Sequence, residues 1–248
     1  MIFARERAEV IANKLKKLMV VRKFQLDDWK VKEGFFLRPE EADRAEEDWE
    51  TFDSRLMHWY GPDRHYWFRT VFTVPEEYDG KGLWLRIRTQ IEEWDDAKNP
   101  QFLVFLNGEV VQGADMNHRE VLLSEAATAG ETVTVDLQAY SGTLHPEFRL
   151  MADVEEVSES VKDLYYDIQV PLWAMDRMDQ EGKTAIDILT VLNDTISLLD
   201  LRDVFSDDFY RSVEAARAYI AKALYEDLAG DDTVIATCIG HTHIDVAW

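Results

Sequence analysis

The sequence predicts an α+β protein in which an antiparallel β-sandwich of the jelly-roll kind is flanked by helices. Three observations predict this fold. Short alternating segments recur at roughly ten-residue spacing between residues 64 and 150, as in sandwiches. Helical periodicity replaces this alternation after Leu150. Close to the last residue, a continuous β-branched segment predicts the first strand of an α/β domain.

Composition excludes several classes of function. The net charge of −22 over 248 residues argues against partners that are nucleic acids or anionic membranes. No apolar run reaches the roughly 18 residues of a membrane-spanning helix. A single cysteine, Cys238, excludes an internal disulfide framework and suits a reducing compartment. Charges at Arg5, Glu6, Arg7 and Glu9 interrupt any secretory apolar segment, so we predict a cytoplasmic protein.

The first predicted element is an N-terminal helix over residues 1–23. Its seven basic and two acidic residues give a charge of +5, so the other residues carry −27. Ile11, Leu15 and Leu18 recur at helical spacing and give the helix one apolar face. Such a helix could target a membrane or an organelle, or it could dock on the acidic body of its own protein. Glu6 and Glu9 favour docking, because targeting segments are poor in acidic residues.

Residues 24–155 are predicted to form the β-sandwich domain. Residues 24–60 are acidic and predicted to be irregular, whereas strands are expected from residue 67 onward. Asn107-Gly108 between two such segments is a strong signal for a two-residue hairpin turn. The predicted strands span residues 67–74, 83–88, 102–106, 109–112, 120–123 and 132–137.

Residues 156–230 are predicted to form a helical connector. Apolar residues from Val154 to Leu172 step by three or four, which predicts a first helix. A second helix is expected over about 183–200. Ser206, followed by two aspartates, resembles the N-cap of a third helix.

Residues 231–248 carry the pattern that is richest in chemistry. A strand is predicted over 233–239, and the loop after it contains His241, His243 and Asp245. Catalytic groups collect beyond the carboxyl ends of parallel strands. His243 and Asp245 are two residues apart and so share one side of an extended segment. Imidazole nitrogen and carboxylate oxygen are common zinc ligands, and Trp248 offers a face for a sugar ring.

The alternative to a metal site is that His241, His243 and Asp245 are ordinary polar residues of a loop that follows a strand. Zinc needs at least one ligand besides His243 and Asp245, and a buried parallel strand needs neighbouring strands. We therefore expect the chain to be the front piece of a longer protein, cut just inside its catalytic domain.

The last nine residues carry a resemblance to a known family. The segment Gly240–Trp248 resembles the opening motif of the catalytic domain of zinc-dependent α-mannosidases, glycoside hydrolase family 38, and is closest to its cytosolic and bacterial branch. The resemblance extends upstream in the same order, from about residue 60 to residue 248. The upstream segments with this resemblance are residues 60–69, 99–101, 106–108, 112–118 and 139–142.

The resemblance implies a jelly-roll or galactose-binding-like sandwich and an enzyme that hydrolyses terminal α-mannosidic bonds of oligosaccharides with retention. It implies that His243 and Asp245 bind Zn²⁺ and that Trp248 lies against the sugar in the −1 site. The nucleophile, the acid/base and the other zinc ligands would come from the remainder of the catalytic domain. Expected partners are therefore a mannose-containing oligosaccharide and that remainder. The fragment alone is expected to be inactive, and no role is carried over to His241.

Two other functions stay open. His-Thr-His-Ile-Asp after a strand also resembles the first metal motif of metal-dependent amidohydrolases. An acidic, aromatic-rich sandwich also suits a non-catalytic carbohydrate-binding or oligomerisation module. A face left exposed by a missing domain would favour a homo-oligomer.

Two further groups of residues are candidates on the sandwich. A sugar-binding corner could be formed by Asp63, Arg64 and His65 together with Trp59 and Trp67. Alternatively, these residues form a turn whose polar groups are hydrogen-bonded within the protein, beside aromatic residues of the core. A second group could bind a metal, reach a neighbouring active site, or belong to an ordinary loop. It consists of Asp115, Asn117 and His118.

Overall fold

The computed structural model describes residues 3–46, 48–90, 100–143 and 147–228. These residues form two compact units, one spanning Lys17–Lys162 and the other combining the chain up to Lys16 with the chain from Asp163 onward. The strands are β1 (Val20–Leu26), β2 (Asp28–Glu33), β3 (Glu50–Asp53), β4 (Trp59–Tyr60), β5 (His65–Thr73), β6 (Leu83–Arg88), β7 (Gln101–Leu106), β8 (Glu109–Ala114), β9 (Glu120–Ser124), β10 (Thr132–Tyr140), β11 (Glu147–Phe148) and β12 (Met151–Val157). The helices are α1 (Ala4–Leu18), α2 (Pro39–Arg44), α3 (Glu159–Met175), α4 (Lys183–Ser197) and α5 (Asp207–Ile220), with a 3₁₀ turn at Glu76–Tyr78 and a π-helix at Ala221–Asp227.

The strands of the first unit form antiparallel sheets, as the sequence predicts. The larger sheet has the order β3-β2-β5-β10-β7-β8, and the smaller has the order β1-β12-β6-β9. A short pair joins β11 to β4. One apolar core contains residues of both sheets, so the two sheets pack face to face as a β-sandwich.

Alternation places the core side chains. In β6, Leu83, Leu85 and Ile87 are buried while the residues between them are half-buried. Phe68 and Leu137 supply the facing side of the core from the larger sheet. Each such buried side chain contributes roughly 1.5–3 kcal/mol to the free energy of unfolding. The hairpin predicted at Asn107-Gly108 is confirmed, with both residues at positive φ, as a type I′ turn requires.

The segment predicted to be irregular, 24–60, instead contributes the end of β1, the strands β2 to β4, and α2. β2 does alternate, but its polar positions are lysines rather than small residues. Lys32 is 3% exposed, and its ammonium donates to the carbonyls of Ala42 at 2.6 Å and Ala45 at 3.3 Å. A buried lysine that binds a neighbouring helix is a tertiary feature, which explains why local pattern missed this strand.

The beginning of the first connector helix was also predicted wrongly. Val154 and Val157 belong to β12, and α3 begins at Glu159. The acidic residues of β12 suggest the polar side of a helix, yet they are buried and paired across strands. Asp153 accepts from Lys23 at 3.0 Å and from Arg88. Cross-strand charge pairing thus permits a strand where composition favours a helix.

The second unit is helical. Helix α1 buries Ala4, Ala8, Ala12 and Leu15, so its buried side is richer in alanine than the predicted leucine and isoleucine face. Its Arg5 pairs with Glu9 at 2.9 Å and with Asp176, and Arg7 donates to Asn193 at 2.5 Å. These contacts match the interpretation in which the basic helix docks on its own protein. Helix α1 ends at Leu18, before the predicted limit of residue 23.

The later helices of this unit follow the sequence closely. Helix α4 begins at Lys183, as predicted, and ends at Ser197. Ser206 is the N-cap of α5, because its hydroxyl accepts from the Phe209 amide at 3.2 Å. The predicted limits of the four domains stay predictions.

None of the helices in the described part of the chain has the length and apolar character that a bilayer crossing requires.

Candidate functional site

The predicted metal motif lies outside the described residues. His243, Asp245 and Trp248 all fall beyond Leu228, as does the strand predicted over 233–239. One imidazole and one carboxylate fit two positions of a zinc site by their chemistry. Within the four described ranges, no group of three or more histidine, cysteine or acidic side chains is placed to hold a metal ion. The zinc assignment therefore stays a prediction from sequence.

The structure brings most of the upstream resemblance segments to one end of the larger sheet. Tyr140 pairs with His65 on one side and with Gln101 on the other. Phe102, next to Gln101, pairs with Ala114 at the end of β8. Segments 60–69, 99–101, 112–118 and 139–142 thus reach the same sheet end, although Asn99 itself is not described. We call this region the β5–β10–β7 end.

The turn before β5 uses the polar groups of the predicted sugar-binding corner for its own structure. Asp63 has φ +56°, its amide donates to the Gly142 carbonyl at 2.7 Å, and its carboxylate accepts from the Tyr140 hydroxyl at 3.1 Å. The Arg64 amide donates to the Ser141 hydroxyl at 2.9 Å. The Arg64 guanidinium pairs with Glu33 at 2.6 Å.

The two tryptophans of that corner are also part of the packed structure. Trp59 is 2% exposed in the sandwich core, and Trp67 is fully buried on the other face of the larger sheet. Neither ring presents an open face to solvent. For these residues the structure therefore favours the satisfied turn beside core aromatics over the sugar-binding corner.

One cavity opens at the β5–β10–β7 end, and a larger one lies beside it at the ends of β2, β3 and β5. The smaller has a volume of about 220 Å³ and is lined by Phe35, His65, Gln101, Gln138 and Tyr140, among others. The His65 and Tyr140 rings lie 5.0 Å apart between centroids.

The larger cavity has a volume of about 710 Å³ and adjoins the ends of β2, β3 and β5. Tyr60 and Tyr66 line it together with His58, Glu33, Asp48 and Glu50. Trp59 also lines this cavity and belongs to the predicted sugar-binding corner, whereas Tyr60 and Tyr66 lie in the 60–69 resemblance segment without a predicted role. The other lining residues carry no signal in the sequence.

The loop after β8 has the features of a self-contained turn. Asp115 Oδ1 accepts from the amides of Asn117 at 2.8 Å and His118 at 2.7 Å, and lies 3.1 Å from His118 Nδ1. Burial alone would raise the pKa of Asp115, but these amides and the imidazole outweigh it and hold the pKa below its usual value. The carboxylate is occupied by its own loop, which favours the ordinary-loop alternative for Asp115, Asn117 and His118.

Replacement of Asp115 by alanine is expected to lower the free energy of unfolding by about 1 kcal/mol at neutral pH, because two amides lose their acceptor. A lowered folded-state pKa stabilises the protein above the unfolded value of about 4, and this contribution disappears as pH falls through the folded value. Urea denaturation at neutral and acidic pH measures the difference. Asp115→Asn, which keeps an acceptor oxygen, should lose less. An equal deficit for both variants at both pH values would contradict this account.

Comparison with known proteins gives partial structural likenesses. The structure is similar to a β-glucuronidase from Ruminococcus gnavus. In complex with D-glucuronic acid, that enzyme is 14% identical over 56% of this chain and 30% of its own, with a TM-score of 0.37. Its structure described without a ligand gives 15% identity over 54% of this chain and 29% of that chain, with a TM-score of 0.35.

This chain thus spans less than a third of the length of those enzyme chains. No family model matches the sequence, and no curated protein matches it. A likeness at this identity and TM-score leaves function to be argued from the residues of the chain itself.

Proposed function

We propose that this chain is the N-terminal accessory region of a zinc-dependent α-mannosidase that hydrolyses terminal α-mannosidic bonds of oligosaccharides with retention. The observation that carries the proposal is the convergence at the β5–β10–β7 end. Four segments that resemble the family are spread over about 80 residues of sequence, yet strand register brings them to one sheet end. The resemblance therefore covers one contiguous region of the folded sandwich rather than scattered positions.

The roles of the C-terminal residues follow from their chemistry and from the resemblance. His243 and Asp245 would hold the zinc ion, which supplies Lewis-acid contacts to sugar hydroxyls when bound. Trp248 would lie against the apolar face of the sugar ring and fix its orientation. The nucleophile and the acid/base would come from the rest of the catalytic domain, so this chain alone is expected to be inert. The sandwich would serve as the scaffold beside that domain.

The test is hydrolysis of an aryl α-mannoside by the complete protein, with and without a chelator. We expect turnover by the complete protein, a loss of at least about tenfold on chelation, and recovery on addition of zinc. The 248-residue chain is the control and should show no turnover. No hydrolysis by a folded, zinc-loaded complete protein would overturn the proposal. Turnover of a cyclic amide in its place would support the amidohydrolase alternative.

A further inference from the structure

The larger cavity, at the ends of β2, β3 and β5, has the size of a ligand site. Its volume of about 710 Å³ lies inside the usual range of roughly 300–1,000 Å³ for small-molecule sites. The neighbouring cavity of about 220 Å³ lies below that range. All of the residues that line the larger cavity belong to the sandwich unit, so its walls do not depend on the helical unit.

The walls combine one open aromatic ring with rigid support. Tyr60 is 57% exposed, whereas Trp59 beside it is 2% exposed and packs against Tyr66 with ring centroids 5.4 Å apart. The Tyr66 hydroxyl donates to the Tyr60 carbonyl at 2.8 Å and fixes the backbone of the exposed tyrosine. Burial, and then the Glu33 carboxylate, raises the pKa of Tyr66, so this donor stays protonated at neutral pH. The ring of Tyr60 is thus presented from a fixed strand at little further entropic cost.

The indole of Trp59 adds a separate observation. Trp59 lines the cavity, and its buried Nε1–H has no acceptor in the part of the chain that the structure describes. Buried N–H groups in folded proteins nearly always have a partner, because an unmade hydrogen bond costs about 1–3 kcal/mol. Because this nitrogen has almost no solvent-accessible surface, the indole supports the cavity wall and makes no direct hydrogen bond to a ligand.

The charged groups of the cavity select against anions. Glu33 is paired with Arg64, and the Lys32 ammonium is held by the Ala42 and Ala45 carbonyls. The carboxylates of Asp48 and Glu50 have no hydrogen-bond partner among the described residues, and both residues line the cavity. A negatively charged sugar would meet like charge here, whereas hydroxyl groups donate well to free carboxylates.

We propose that this cavity binds a neutral oligosaccharide of at least two pyranose rings, one of which stacks on Tyr60 while its hydroxyls donate to Asp48 and Glu50. An aromatic wall with a few convergent polar groups and an adequate volume is the usual composition of such a site. The identification of the sugar as a mannoside rests on the proposed function. The expectation of a neutral pyranose rests on the residues of the cavity itself.

The experiment titrates mannobiose and mannotriose into the 248-residue chain, with saturation-transfer NMR and calorimetry as readouts. We expect both sugars to bind, Tyr60→Ala to weaken binding by about tenfold, and Glu50→Gln to weaken it by about fivefold. Tyr225→Ala is the matched control. Tyr225 is 51% exposed in the π-helix, far from the cavity in sequence, so its loss should change the dissociation constant less than twofold. Mannose 6-phosphate and glucuronic acid should bind at least about tenfold more weakly than mannose, the neutral sugar of the same size.

Circular dichroism confirms that each variant is folded before its affinity is compared. Absence of binding by every neutral saccharide, or binding that Tyr60→Ala and Glu50→Gln leave unchanged, would overturn the site. Stronger binding of the anionic sugars would overturn the charge argument. These results are separate from turnover. Binding without hydrolysis by the complete protein would refute the proposed function alone, and hydrolysis without binding by this chain would refute the cavity alone.

Discussion

Replacement of His243 or Asp245 by alanine in the complete protein is expected to reduce α-mannoside hydrolysis by more than about 100-fold, because loss of even an outer-shell partner of a metal ligand costs about 10–100-fold. The bound zinc content should fall in parallel. The proposed site predicts both losses together, since a missing ligand weakens metal affinity as well as substrate contacts. Turnover and metal content per protein chain are the two measurements.

His241→Ala is the matched control for this experiment. His241 lies two residues from His243, and the resemblance assigns it no ligand role. Its loss should reduce activity less than the loss of either ligand. Thermal unfolding should be unchanged in all three variants for the sandwich, because none of these residues belongs to it. Full activity with either His243→Ala or Asp245→Ala would refute the assignment of zinc ligands.

Replacement of Arg69 by leucine is expected to lower the free energy of unfolding by about 3–5 kcal/mol, because it leaves a buried carboxylate without its cation. Arg69 Nε lies 2.5 Å from Asp136 Oδ1, and the Asp136 side chain is 2% exposed. The same guanidinium binds Asp43 at 2.7 Å and lies 4.8 Å from the centre of the Trp49 ring. Arg69 on β5 therefore links Asp136 on β10 to Asp43 of α2 and to the Trp49 ring. Chemical denaturation measures the loss.

The pH dependence of this deficit identifies its cause. Burial raises the pKa of Asp136, an effect that Arg69 partly offsets. A carboxyl group with a raised folded-state pKa destabilises the protein as pH rises through the window between its unfolded and folded values. Removal of Arg69 widens that window, so the deficit should be smaller at about pH 5 than at about pH 7.

Two further variants test the same pair. Arg69→Leu combined with Asp136→Leu should recover most of the loss, because no unpaired charge then remains buried. Arg202→Leu serves as the exposed control, since Arg202 is 89% exposed in its pair with Asp200 and its loss should leave the free energy of unfolding nearly unchanged. A deficit of the Arg69 variant that is independent of pH, or no recovery in the double variant, would show that the lost packing rather than the orphaned charge is responsible.

Local pattern alone determined a large part of this fold. Alternation placed β5, β6 and β10 to within a few residues, and a short apolar run placed β7, because each strand sends alternate side chains into the sandwich core. Asn107-Gly108 and Ser206 act through their own backbone neighbours, so turn and cap chemistry was sufficient to predict them. The C-terminal motif belongs to the same class of local signal, and its chemistry stays a prediction from sequence.

Only the tertiary structure decided which residues meet. On β12, the buried Asp153 binds Lys23, which is 130 positions away in the chain. On β2, the buried Lys32 binds the carbonyl of Ala42, which helix α2 brings over the strand. The convergence of Tyr140, His65 and Gln101 depends on strand register, which sequence patterns leave open. The larger cavity exists because Tyr60, Glu33 and Glu50 lie on different strands that end together. Side-chain periodicity sets which face each strand buries, whereas long-range pairing sets which chemistry gathers at one sheet end.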